Sequence, residues 1–132
     1  MSSIANASPC PCQSGKPFED CCAPLISGEM LPETAEALMR SRYTAYTLRD
    51  ESYLLATWEP SRRPQSLDFT AEQAPKWIGL QVRQFVQTGL DTAIVEFVAR
   101  YRIGGRAHRL HETSRFKLTD GRWMYVDGDI AE

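Results

Sequence analysis

The sequence predicts an α+β chain: an N-terminal cysteine knuckle, then helices packed on one face of a curved four-stranded antiparallel sheet. Three observations lead there. All four cysteines of the 132 residues fall between positions 10 and 22. Apolar side chains then recur at three- and four-residue spacing within 33–58, and they alternate with polar ones through 77–128. Helices first and hairpin-linked strands last is the order of an α+β layer pair. The boundary is expected after residue 28, with the knuckle over 1–28 and the larger unit over 29–132.

Composition narrows the class. Hydrophobic residues make up 42% and charged residues 24%, ordinary values for a globular protein. The net charge of −2 and a pI near 5.7 disfavour nucleic acid or an anionic membrane as the main partner, because such binding draws on excess Lys and Arg. No apolar run approaches the roughly 18 residues of a membrane span. The opening MSSIANASP has neither a basic start nor an apolar stretch, so a secretory signal is not expected and a reducing cytoplasm is the expected setting.

That setting decides how to read CPCQSGKPFEDCC. Cys10, Cys12, Cys21 and Cys22 could form two disulfides in any of three pairings. A Cys10–Cys12 or Cys21–Cys22 bridge would be strained, and a reducing compartment opposes even relaxed ones. One structural Zn²⁺ per chain suits the set better, since four thiolates close a tetrahedral shell and leave no open position for catalysis. Ser14-Gly15 supplies a turn in which Gly15 can take a positive φ. Four thiolates on Zn²⁺ carry a charge of about −2, which Lys16 partly offsets.

The helical half begins near Leu31-Pro32-Glu33-Thr34, with Pro expected in the first turn. Leu38, Met39, Tyr43 and Tyr46 form its apolar stripe. Asp50 is a candidate cap for a second helix, Glu51–Trp58. EPSRRPQS at 59–66 is a loop, and in the weakly patterned 69–76 Thr70 is a candidate cap for one turn before Pro75. Strands are expected at 77–87, with Ile78, Leu80, Val82 and Val86 on one face; at 93–103; at 106–118; and at 122–127. Gly104-Gly105 and Thr119-Asp120-Gly121 are the hairpin turns.

Candidate site residues come from polar groups at apolar positions. Arg42 sits on the helical stripe midway between Leu38 and Tyr46. Glu112 and Ser114 share a strand face with Leu110, Phe116 and Leu118. Two opposite charges on buried faces predict a buried Arg42–Glu112 ion pair, or polar groups at the floor of a pocket. Tyr43, Tyr46, Trp58 and Trp123 are candidate pocket lining. Asp127, expected to share a face with Trp123 and Tyr125, is a candidate carboxylate in an apolar site. His108 and His111 are three apart on a strand and face opposite sides, which argues against a shared metal. No phosphate loop, dinucleotide fingerprint or nucleophile elbow is present.

Two resemblances sharpen these expectations. Cys10-x-Cys12-x-Ser14-Gly15-Lys16 with Cys21-Cys22 resembles the SEC-C motif, a small zinc finger of bacterial proteins. Many such fingers carry Gly where Gln13 stands and a basic run before the last cysteines. Here that run is Pro17-Phe18-Glu19-Asp20, which argues against an RNA-facing surface. SGE at 27–29, LMRSRYTAY at 38–46, TWEP at 57–60, FVARY at 97–101 and ETSRF…GRWMYVDG at 112–128 resemble the YchJ family of uncharacterised bacterial proteins. The resemblance implies a cone-like, nuclear-transport-factor-two-like middle domain, a fold that hosts both enzymes and binding modules. Many members carry a second SEC-C finger at the C-terminus, and this sequence holds no further cysteine. The expected function is a non-catalytic adaptor that binds a protein partner. The alternatives are a small-molecule binder or enzyme using the cone, and ribosome or RNA association through the finger.

Overall fold

A computed structural model of the chain describes residues 8–67 and 75–131. The knuckle comes first. Pro9 and Pro17 bridge its two arms, and the Cys10 N–H donates to Lys16 O at 2.9 Å. A 3₁₀ turn at Phe18–Asp20 leads into helix α1, Cys22–Ser27, which ends at Gly28 in the left-handed region (φ 88°). The sequence pattern signals neither short helix, because neither is long enough to show a period.

Helix α2, Ala35–Leu48, starts later than Pro32. Thr34 caps it, its side chain accepting from the Ala37 N–H at 3.0 Å. Pro32 therefore lies in the approach, outside the first turn. A left-handed Arg49 ends α2, and Asp50 caps α3, Glu51–Ala56, by accepting from the Tyr53 N–H at 3.1 Å. Strands β1 (Lys76–Gln87), β2 (Thr92–Ile103), β3 (Arg106–Thr119) and β4 (Arg122–Ala131) form one antiparallel sheet in the order β1-β2-β3-β4. The β2–β3 hairpin turns through Gly104 and Gly105 and the β3–β4 hairpin through Asp120 and Gly121, all at positive φ. The Thr70 cap lies outside the described residues.

Register corrects two sequence expectations. β1 pairs with β2 through irregularities between Trp77 and Gly79 and between Val82 and Gln84. Each extra residue flips the remainder of the strand to the other face. Hence Trp77, Leu80, Val82 and Phe85 pack on the core, while Ile78 is left 43% exposed. The fourth strand runs four residues beyond its expected end at 127. One irregularity between Arg115 and Phe116 sets Arg115 opposite Asp127 but Phe116 opposite Tyr125, so Val126 is the extra residue.

A single apolar core joins the parts. Cys10, Cys12 and Cys22 belong to the same buried cluster as Leu38, Met39, Val95, Phe97, Phe116 and Trp123. Helix α2 packs against β1, β2 and β4 of the sheet and also against α1. The knuckle is thus seated on the helix that roofs the sheet.

Candidate functional site

The cysteine tetrad is assembled by that seating. All four Sγ atoms lie within 4.8 Å of one another. Cys12 and Cys21 are 3.6 Å apart and Cys21 and Cys22 3.9 Å, close to the edge of about 3.8 Å that a tetrahedron with metal–sulfur bonds of about 2.3 Å requires. Cys10, Cys12 and Cys22 are buried, and Cys21 is half-buried beside the Ser14 hydroxyl at 3.2 Å. Helix α2 supplies the outer contacts. The Thr44 hydroxyl donates to Cys22 Sγ at 3.3 Å and lies 3.7 Å from Cys10 Sγ, and Arg40 Nη1 donates to the Cys12 carbonyl at 2.9 Å.

The electrostatics of four crowded sulfurs fit a cation. Hydrogen bonds from Cys10 and Cys22 pull the Cys12 thiol far down. Contact with the Cys10 and Cys12 sulfurs pushes Cys22 up, and burial pushes Cys21 up to about 11. Four thiolates together need a compensating metal ion, and this donor set and spacing can hold one.

Gln13 ties the knuckle to the sheet. It sits at positive φ (61°), and its Oε1 accepts from the Leu80 N–H at 2.7 Å, just past the first β1 irregularity. Gly79 leaves room for it, since a Cβ there would stand 3.3 Å from Gln13 Oε1.

Between α2 and the sheet lies a partly open cavity of about 220 Å³. Arg42, Glu112, Ser114, Tyr43, Tyr46 and Trp58 all line it, with Met39, Trp77, Phe97 and Tyr125 adding apolar and aromatic wall. Arg42 is 6% exposed. Its Nη1 donates to Leu54 O at 2.8 Å and to Thr57 Oγ1 at 2.7 Å, and its Cζ lies 4.6 Å from the Tyr125 ring centre and 5.0 Å from that of Trp58. Burial pulls its guanidinium pKa down, opposed by the nearby Tyr46, Tyr125, Tyr53 and Glu112. Glu112 Oε2 accepts from the Ser114 hydroxyl at 2.6 Å and the Tyr125 hydroxyl at 3.2 Å. Burial, then the Glu112 charge, raises the Tyr125 phenol.

The expected direct Arg42–Glu112 pair is not made. No ion pair within 4.0 Å joins them: Arg42 donates to Leu54 O and Thr57, Glu112 accepts from Ser114 and Tyr125, and the Tyr125 ring lies between the two charges' contacts, touching both. Backbone and hydroxyl oxygens near the end of α3, together with two ring faces, satisfy the cation instead. Asp127 is not in the cavity either. The extra residue at Val126 turns it outward, where it accepts from Arg115 Nε at 2.5 Å and Arg62 Nη1 at 3.2 Å. Arg115 also forks onto Asp129 and holds that carboxyl below its ordinary value. Trp123 lines a separate groove with Met30 and Leu31, its Nε1 donating to Glu33 O at 3.3 Å. His108 stacks on Tyr101, while His111 lies 2.6 Å from Glu96, so the two do not converge.

Two contributors were not singled out by sequence reasoning. Tyr125 was legible, since it alternates with Trp123. Gly128 was not: a Cβ there would run into Glu112 Oε2, a crowding visible only once the β3–β4 register is known.

Comparison with known proteins agrees with both parts. Residues 34–128 match the family described as the YchJ middle NTF2-like domain, and residues 8–24 match the SEC-C motif. A UPF0225 protein of Ralstonia nicotianae is 51% identical over 132 residues, covering 92% of this chain and 91% of that protein. One from Chromobacterium violaceum is 49% identical, covering 92% and 93%. The solution structure of a SEC-C motif containing protein from Rhodopseudomonas palustris superposes with a TM-score of 0.84 at 37% identity, covering 95% of this chain and all of the other. A crystal structure of a SEC-C motif containing protein from Psychrobacter arcticus gives 0.79 at 27%, covering 96% and 85%. With its cysteine tetrad and its NTF2-like sheet and helices both matched, this chain belongs to the UPF0225, or YchJ, family of SEC-C proteins.

Proposed function

We propose that the protein is a small-molecule-binding module in which the knuckle is a structural clamp holding one Zn²⁺ per chain. The observation that carries the reading is the cavity itself. It places a buried cation and a carboxylate in one aromatic-walled space without letting them neutralise each other directly. A merely structural pair would close to contact, since separated buried charges are costly. Zinc is favoured as the metal because four thiolates in a closed tetrahedron suit it, and because such a shell leaves no open position. On this reading the zinc acts by fixing α2, through Thr44 and Arg40, and α2 supplies Arg42, Tyr43 and Tyr46 to the cavity.

The test is a small-aromatic fragment screen by NMR on the metal-loaded full chain, paired with metal analysis. Expected are about one zinc per chain and fragments whose shift changes centre on Tyr46, Trp58 and Tyr125. A screen in which no fragment perturbs those residues rejects the binding role, and well under one zinc per chain with oxidised thiols rejects the clamp.

A protein-binding adaptor is the second reading. It rests on a different surface: Met30 and Leu31, 54% and 49% exposed, rim a groove with Leu25 and Ile26 next to the knuckle. Partners that co-purify with the chain but are lost with a Met30→Asp/Leu31→Asp variant would support it, and unchanged partners would remove it. The acidic Glu19-Asp20 turn, both residues exposed, weighs against an RNA-binding finger.

A further inference from the structure

The sheet face turned away from α2 and the cavity carries its charge unevenly. Residues 76–109 hold six of the chain's 15 cations but only two of its 17 acids. Four of those cations converge on this face. Arg100 and Arg109 alternate with the cavity-lining Ala99 and Leu110, and Arg102 follows Tyr101, whose ring meets Trp77 on the core side. Lys76 precedes the core-packed Trp77. In register, Lys76 stands opposite Arg102 and Arg100 opposite Arg109. All four are exposed, and none makes an ion pair or hydrogen bond with a described residue. Other charges of the same face are paired: His111 lies 2.6 Å from Glu96, and Arg115 holds Asp127 and Asp129. Like charges directly opposite across strands destabilise a sheet. Two such pairs side by side are a cost to the free chain that an anionic partner would offset.

We propose that this face docks an extended acidic segment of a partner protein, with carboxylates at alternate residues. Arg100 and Arg102 are two residues apart on β2, a step of about 6.8 Å, and carboxylates on one side of an extended chain repeat at the same step. Lys76 and Arg109 lie one strand to either side, about 4.8 Å away, so a segment crossing the sheet obliquely meets all four cations in turn. Three of the four are arginines, whose planar fork takes a carboxylate through two N–H groups. Nucleic acid fits this face less well. Sheets that hold single strands stack bases on exposed rings, whereas Trp77, Phe85, Phe97, Tyr101 and Phe116 all lie on the core side. Glu96, Asp127 and Asp129 share the outer face, and the net charge of −2 repels a polyanion that runs beyond the patch. The surface is separate from the cavity and independent of what the cavity binds.

Fluorescence anisotropy on the full chain at low salt tests this with three labelled probes: a peptide of alternating Glu and Ser, its Gln-Ser counterpart, and a short oligo(dT). The Glu-Ser peptide is expected to bind, more weakly as salt rises, and the Gln-Ser peptide is not. Arg100→Gln/Arg109→Gln should weaken the Glu-Ser peptide at least about fivefold, the scale of two exposed charge contacts. Lys117→Gln/Arg122→Gln makes the same change in net charge at two other exposed cations and should leave affinity within about twofold. In urea unfolding, the Arg100→Gln/Arg109→Gln midpoint should equal or exceed that of the unsubstituted chain, because a like-charged pair is gone. A clear fall in that midpoint would make the arginines structural and overturn the docking role. So would absence of Glu-Ser binding, or equal weakening by the two double variants. Tighter binding of oligo(dT) would overturn the acidic segment in favour of nucleic acid. Self-association of the free chain in analytical ultracentrifugation, abolished by Arg100→Gln/Arg109→Gln, would overturn it in favour of a second copy.

Discussion

Gly128 stands opposite Ser114 across the β3–β4 pair, and its missing side chain lets the Glu112 carboxylate lie against the strand where Ser114 and Tyr125 can reach it. An added methyl would overlap Oε2 and meet the Glu112 Cδ at 2.8 Å, too close for either to stay. Gly128→Ala is therefore expected to cost about 1–3 kcal/mol, the range for overpacking a tight site, read from urea unfolding. The cause can be isolated. In a Gly128→Ala/Glu112→Ala double variant the clash disappears, so its loss should fall short of the summed single losses by more than about 0.5 kcal/mol. Strict additivity would show that Glu112 does not occupy the space over Gly128.

At the scale of elements, a side chain placed by an unusual backbone hydrogen-bonds the knuckle to the sheet. Gln13 takes a left-handed φ of 61°, and its carbonyl oxygen satisfies the Leu80 N–H on the edge strand β1. Gln13→Ala keeps the strained φ and removes the acceptor. It should destabilise the chain by about 1–2 kcal/mol and speed amide exchange at Leu80, while exchange in the β2–β3 hairpin stays slow. Unchanged protection at Leu80 would mean the contact is not made in solution. This element also shows why part of the fold was legible and part was not. The Asp50 cap, the Gly104-Gly105 turn and the cysteine tetrad are local in sequence, and spacing alone located them. Arg42, Glu112 and Ser114 stood out because each breaks an apolar stripe. Bulges have no such signal: those after Trp77 and Arg115 exposed Ile78 and turned Asp127 outward against a plain alternation. The partners of Arg42 were equally hidden, because Leu54 O and Thr57 lie at the end of a neighbouring helix that periodicity places only approximately.

Over the whole molecule, the cysteine tetrad and the cavity are mechanically one problem. A knuckle of this length has no core of its own, and its buried cysteines are part of the cluster that holds Leu38, Phe97 and Phe116. A metal held by the tetrad would bind the folded state alone, so it would add to global stability by linkage instead of merely ordering a tail. The helix that offers Thr44 to the sulfurs from one face offers Arg42 and Tyr46 to the cavity from another. Chelation of the metal under reducing conditions is therefore expected to lower Tm by more than about 10 °C, corresponding to several kcal/mol in a domain of this size. It should do so in a single transition followed both by far-ultraviolet circular dichroism and by tryptophan fluorescence, since Trp58 and Trp77 sit in the cavity wall and not in the knuckle. Two separate transitions, or a fluorescence midpoint that ignores the chelator, would make the knuckle an independent appendage. Coincident curves would instead mean that loss of the metal loosens α2 and, with it, the cavity roof.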